Sequence, residues 1–164
     1  MSLQETSFFD LAPELAKTRV MLERIPADKF DWSPHEKSWE LIRLARHIVN
    51  LPTWVGITMN TDGLDFAVPP PPRPVSATVA ELLQEFDDNC TAAKAALAAA
   101  SDEDFEAMWS LSNGDHVIFT QSKREVIREW AINHMIHHRA QLSIYFRLVG
   151  VPLPPLYGPS ADES

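Results

Sequence analysis

The chain has 164 residues, enough for one domain around one continuous hydrophobic core. Apolar residues make up 45% and charged residues 23%, an ordinary globular composition, and a formal net charge of −9 disfavours any polyanionic partner such as DNA. The single cysteine, Cys90, excludes an internal disulfide and a cysteine-rich zinc site.

No apolar run approaches the roughly 18 residues of a membrane helix, and Met1-Ser2-Leu3-Gln4-Glu5 has no basic start leading into an apolar stretch. The expectation is therefore a cytoplasmic protein that binds neither nucleic acid nor membrane.

In chain order, apolar residues recur at helical spacing in four segments. The first stripe is Phe8, Leu11, Leu15, Thr18, Leu22 and Ile25, ending before Pro26, with Pro13 either opening the helix or distorting its first turn. The second places Leu44, His47, Leu51 and Trp54 on one face, widened by Leu41, Ala45, Ile48 and Val55, with Ser38 as the expected cap. A long connection follows from Asn60 to Ala77, stiffened by Pro69-Pro70-Pro71-Pro72, which reads as an extended crossover.

The third segment opens on a capping-box pattern, Thr78-Val79-Ala80-Glu81, and continues through Leu82, Phe86, Cys90, Ala93, Leu97 and Ala100. Met108–Leu111 and His116–Phe119 flank Asn113-Gly114-Asp115, the signature of a small β-hairpin. The fourth helix opens on a second capping box, Ser122-Lys123-Arg124-Glu125. Its stripe runs through Ile127, Ala131, His134, His138, Gln141 or Leu142, and Tyr145, ending before Gly150. The tail from Val151 to Ser164 is expected to be a non-helical extension. Residues 1–164 thus read as one all-α domain, a four-helix bundle in up-down-down-up order, with the crossover between helices two and three and a hairpin before helix four.

Three of the six histidines, His134, His137 and His138, fall within five residues. His134 and His138 are four apart and share one face of the fourth helix, one turn above the other. Their stripe, like that of His47 on helix two, faces the core. A buried imidazole without a partner costs roughly 1–3 kcal/mol, so three of them aimed at one interior suit a divalent metal: zinc, nickel, iron or copper. Three protein ligands would leave a coordination position open. Met135 stands where a zinc-protease helix carries glutamate, so peptide hydrolysis is disfavoured.

His137 lies about 100° around the helix from His138 and reads as a rim residue, a substitute ligand or a second-layer donor. Cys90 reads as a small buried hydrophobe, with a fourth ligand or redox thiol as the sharper alternative. Asn50 and Trp54 could line the pocket, Trp54 also serving as packing. Gln141 could orient a ligand, and Arg139 could meet a substrate carboxylate or form a surface salt bridge. His35 and His116 are expected to be exposed.

Phe30-Asp31-Trp32-Ser33-Pro34, Ser38-Trp39-Glu40-Leu41 leading to His47, Asn133-His134 with His137-His138-Arg139-Ala140-Gln141-Leu142, and the tail Leu156–Glu163 together resemble the DinB-like (DinB/YfiT) proteins, metal-binding four-helix bundles. The resemblance covers nearly the whole chain. It implies a metal triad of one histidine on helix two and a His-x3-His pair on the last helix, here His47, His134 and His138. It also implies zinc, nickel or another divalent ion, frequent homodimers, and, in some relatives, transfer or isomerisation chemistry that uses a low-molecular-weight thiol.

The leading expectation is a metal-dependent enzyme of the thiol S-transferase type, because a thiolate nucleophile needs no glutamate base. Metal-assisted hydrolysis, a non-catalytic metal- or ligand-binding bundle, and a metal-free histidine network are the alternatives.

Overall fold

The computed structural model describes residues 2–72 and 74–163. The chain is largely helical with a small three-stranded sheet. Its helices are α1 (Leu3–Ser7), α2 (Leu11–Leu22), α3 (Leu41–Asn50), α4 (Thr53–Asn60), α5 (Val79–Ala99), α6 (Asp102–Glu106), α7 (Lys123–Val126) and α8 (His134–Val149), with a π-helical segment, Ile127–Asn133, joining α7 to α8. The strands are β1 (Gly63–Asp65), β2 (Met108–Asn113) and β3 (His116–Ser122). No described helix is long and apolar enough to cross a membrane.

Both predicted capping boxes form: Thr78 and Glu81 close the start of α5, and Ser122 and Glu125 that of α7. Pro13 sits in the first turn of α2, where its missing N–H costs nothing. The second predicted helix differs in two ways. Ser38 is not its cap; α3 starts after Glu40, and its free N–H groups at Leu41 and Ile42 donate to the carbonyls of Trp32 (2.9 Å) and Phe30 (3.0 Å) in the preceding loop. It also stops at Asn50, because Pro52 lacks an N–H and its ring crowds the preceding turn, so the apolar stripe resumes on a separate α4.

The predicted hairpin is β2–β3, with a register shift between Leu111 and Ser112 and a tight turn at Gly114, whose φ of 59° is accessible to glycine at little cost. The crossover contributes β1, an unpredicted third strand parallel to β2. Gly63 allows this approach, since a Cβ there would lie 2.6 Å from the Ser110 carbonyl oxygen. Asp65 then ties the crossover to the hairpin, its carboxylate accepting from the Gly114 N–H at 2.8 Å.

The main core lies between α2, α3, α5 and α8, where side chains such as Leu22, Leu44, Ile48, Phe86, Leu142 and Phe146 are fully buried, each contributing roughly 1.5–3 kcal/mol. Arg46 donates to the Ser76 carbonyl (2.8 Å) just before α5, and Asn89 within α5 donates to the Val49 carbonyl (2.9 Å), which ties α3 to α5. The segment from Trp39 to Trp54 meets the last helix in antiparallel order: Tyr145 donates to the Trp39 carbonyl (2.9 Å), His47 meets His134 and His138, and Trp54 stacks on Trp130. A second cluster of Trp109, Leu111 and Val126 fills the space beneath the sheet, packed against Trp54, Phe119 and Trp130.

Arg139 is neither a surface salt bridge nor free for a substrate. Its side chain is 2% exposed and pairs with Glu14, 6% exposed, across the α2–α8 interface. It also donates to the Glu14 carbonyl (3.0 Å) and Thr18 Oγ1 (3.1 Å), while Tyr157 of the tail donates to Glu14 Oε2 at 2.6 Å and accepts from Arg139. The tail is non-helical as predicted, and Arg24–Glu163 and Arg147–Asp162 pairs fasten it further. Hydrogen bonds from Lys17, Tyr157 and Arg139 outweigh the cost of burial and hold the Glu14 carboxyl down at about 2.

Arg139→Met should therefore strand a buried carboxylate and cost about 3–5 kcal/mol in urea unfolding, with much of the loss recovered by adding Glu14→Leu. Because the Glu14 pKa is lowered in the fold, its contribution is complete above the ordinary 4.5 and should fade as pH falls towards about 2.

Candidate metal centre

His47 sits near the end of α3, and His134 and His138 occupy the first and second turns of α8. The antiparallel packing of these helices brings the three imidazoles together, one potential ligand atom from each lying within 4.8 Å of the others. Nε2 of His134 is 3.3 Å from Nε2 of His47 and 2.9 Å from Nε2 of His138. Two nitrogens bound to one tetrahedral ion at 2.0–2.1 Å stand about 3.3 Å apart, so the spacing fits a shared ion with small adjustment.

The other ring nitrogens strengthen the fit. Nδ1 of His138 lies 2.7 Å from Gln141 Oε1, an acceptor, and so carries the proton. Nδ1 of His134 is buried and has no hydrogen-bond partner among the described residues. With its proton on Nδ1, His138 turns its Nε2 lone pair towards Nε2 of His134, 2.9 Å away. That lone pair can be met by a proton shared with His134 or by a cation, and the third nitrogen, on His47, makes the set suited to a metal ion.

Burial, reinforced by the neighbouring imidazoles and by Arg43, drives the His47 pKa down to about 4; burial is likewise the main cause of the lowered pKa values of His134 and His138. All three rings are thus neutral near pH 7, the form that binds metal. No carboxylate joins this cluster among the described residues.

Aromatic rings enclose the centre. Trp39 stacks on His138 (5.7 Å, 19° between planes) and meets His47 edge-on at 5.1 Å, while Trp130 meets His134 edge-on at 6.1 Å. Neither tryptophan stands out as a site residue from spacing alone, although Trp130 is four residues before His134 and Trp39 belongs to the Ser38–Leu41 motif. Trp54 packs between Trp130 and Trp109 instead of lining the histidines.

Gln141 does orient a candidate ligand. His137 is exposed and lies outside the cluster, its Nε2 3.0 Å from Gln141 Nε2 and its ring edge-on to that of His138 at 4.9 Å. Cys90 is buried, its thiol pushed up to about 12 mainly by desolvation, and it is not one of the grouped ligands. His116 is exposed on β3, and Nδ1 of exposed His35 accepts from the Lys37 N–H at 3.1 Å. Beside His138 opens a depression of about 450 Å³, with Lys37, Ser38, Trp39, Gln141, Ile144 and Tyr145 in its walls.

A sequence model of the DinB family matches residues 6–164. The uncharacterized protein YrdA of Bacillus subtilis (strain 168) is 26% identical over 154 residues, covering 92% of this chain and 85% of YrdA. Among solved structures, a DinB-like protein from Bacillus cereus ATCC 10987 superposes with a TM-score of 0.72 at 20% identity, covering 93% of this chain and 97% of that one. The DinB-like protein YjoA of Bacillus subtilis gives 0.69 at 16% identity, covering 93% and 98%. These likenesses agree in fold, and the three adjacent histidines give this chain the means to hold an ion.

Two outcomes follow from the geometry. Gln141→Leu removes the acceptor that fixes His138 and should weaken metal binding by about 10–100-fold, read by competition with a chromogenic chelator. The metal-free protein should lose thermal stability as pH falls from about 6.5 towards 4. The unfolded histidines take up protons near 6.5, whereas folded His47 resists protonation until about 4.

Proposed function

The chain belongs to the DinB family, and we propose that it is a divalent-metal-dependent enzyme with His47, His134 and His138 as the metal ligands and thiol transfer as its reaction. The observation that carries this reading is the convergence of three neutral imidazoles on one point, with His138 held through its far ring nitrogen by Gln141. Zinc or nickel suits a set of three imidazoles best, with iron also compatible. When bound, the ion supplies Lewis acidity and lowers the pKa of a thiol or water in its open position.

The chain's own residues do the rest. Gln141 holds His138 in one tautomer and orientation. Trp39 covers two of the three rings and limits water there. The depression beside His138 gives an acceptor molecule a place to lie. With no carboxylate in the cluster to serve as general base, a thiol, acidic enough to be deprotonated near neutral pH, is favoured over water as nucleophile, and hydrolysis ranks second.

In this reading the four helical stretches form one up-down-down-up bundle, a topology supported by the ties between α3 and α5 and by the antiparallel order in which the Trp39 to Trp54 segment meets the last helix. The protein would act in the cytoplasm, with a low-molecular-weight thiol as co-substrate. A homodimer is part of the same reading, supported by the exposure of Leu148 near the end of α8.

Protein purified without a histidine tag should contain about one ion per chain by elemental analysis, and His47→Ala, His134→Ala and His138→Ala should each lower that content sharply. Incubation with zinc or nickel, the common cellular thiols and simple electrophiles should give thiol-dependent turnover that these variants lose while remaining folded. Absence of turnover with every thiol, together with a large drop in melting temperature on metal removal, would assign the ion a structural role between α3 and α8.

A further inference from the structure

The depression beside His138 has one cationic side chain in its wall, Lys37, and a second, Arg43, against its Trp39 wall, and neither forms an ion pair. Eight cationic side chains among the described residues form ion pairs, as expected in a protein with 23 acidic residues. Lys37 and Arg43 do not. Lys37 is in the wall of the depression, and its ammonium has no ion pair or hydrogen bond among the described residues.

Arg43 stands one helical turn before His47 on α3, its guanidinium 4.6 Å from the centre of the Trp39 ring, and close enough to His47 to disfavour a second positive charge there. Glu36 and Glu40 are near in sequence, yet neither pairs with these cations nor lines the depression. The remaining wall is mostly apolar, built from Trp39, Leu44, Ile144 and Tyr145. An apolar trough with the unpaired ammonium of Lys37 in its wall and the Arg43 guanidinium on its Trp39 wall, in a chain of net charge −9, is complementary to a small organic acid.

We propose that this depression binds a carboxylate-bearing small molecule, with its apolar body against Trp39, Ile144 and Tyr145 and its acid group held by Lys37 and Arg43. The proposal names a substrate class for the site described above and rests on that reading only in taking the depression as the approach to the metal. Trp39 connects the two, since it lines the depression and contacts both His47 and His138. Lys37 and Arg43 are thereby specificity residues, selecting by charge what reaches the centre.

The test uses the full chain loaded with cobalt, whose visible spectrum reports the ligand set. Phenylbutyrate, phenylbutanol and phenylbutylamine, alike in apolar body and different in charge, are titrated against tryptophan fluorescence. Phenylbutyrate should bind about tenfold or more tightly than phenylbutanol, the scale of a charge-assisted contact, with phenylbutylamine weakest.

Lys37→Glu and Arg43→Glu should each abolish that preference, Lys37→Gln should reduce it, and Arg43→Lys should retain part of it. All four change exposed side chains and should leave the cobalt spectrum unchanged. Equal binding of the three probes, binding of none, or a preference untouched by charge reversal would overturn the proposal. Failure to take up cobalt would instead count against the metal reading, and the same titration on the metal-free chain would still decide the charge preference.

Discussion

The pairing of Arg139 with Glu14 fixes the rotation of α8, and the placement of the histidines depends on that rotation. Consecutive residues on a helix point about 100° apart. Arg139 is drawn onto α2, where the Glu14 carboxylate and carbonyl, Thr18 and the tail hydroxyl of Tyr157 satisfy it, so His138 is directed towards α3 and His47. A buried charge has few acceptable partners and cannot slide along an interface as a leucine can. The ion pair therefore sets angular register, while the surrounding Leu, Ile and Phe side chains supply most of the burial energy.

The centre itself is assembled from compromises with helix geometry. α3 must end near His47 because Pro52 follows, and its N-terminal donors rely on carbonyls of the Phe30–Trp32 loop. That loop continues into Ser38-Trp39, which places Trp39 over His47 and His138 and Lys37 at the edge of the depression. One short stretch ahead of α3 thus caps a helix, roofs the imidazoles and charges the entrance.

Much of this was legible in the sequence. The His-x3-His pair and His47 lie on apolar stripes whose period is local information, and Thr78-Glu81 and Ser122-Glu125 announce their helix starts through nearest neighbours. What escaped depends on contacts between distant residues. Arg139 reads as a surface residue because its partner is 125 positions away, and nothing near it in sequence advertises Glu14. β1 is only three residues long, and its pairing requires the bare Gly63 to meet Ser110. Trp39 and Trp130 gain their significance only when α3 and α8 come together.

The π-helical segment Ile127–Asn133 ends one residue before His134. A π turn accommodates one residue more than the α turn it replaces, and such turns frequently mark functional sites. The upstream half of the helix can then keep Ile127 and Ala131 in the core while the downstream half is turned by roughly one residue's angle, about 100°. The direction in which His134 and His138 point is thus set by one residue's worth of backbone register as much as by the identities of the side chains.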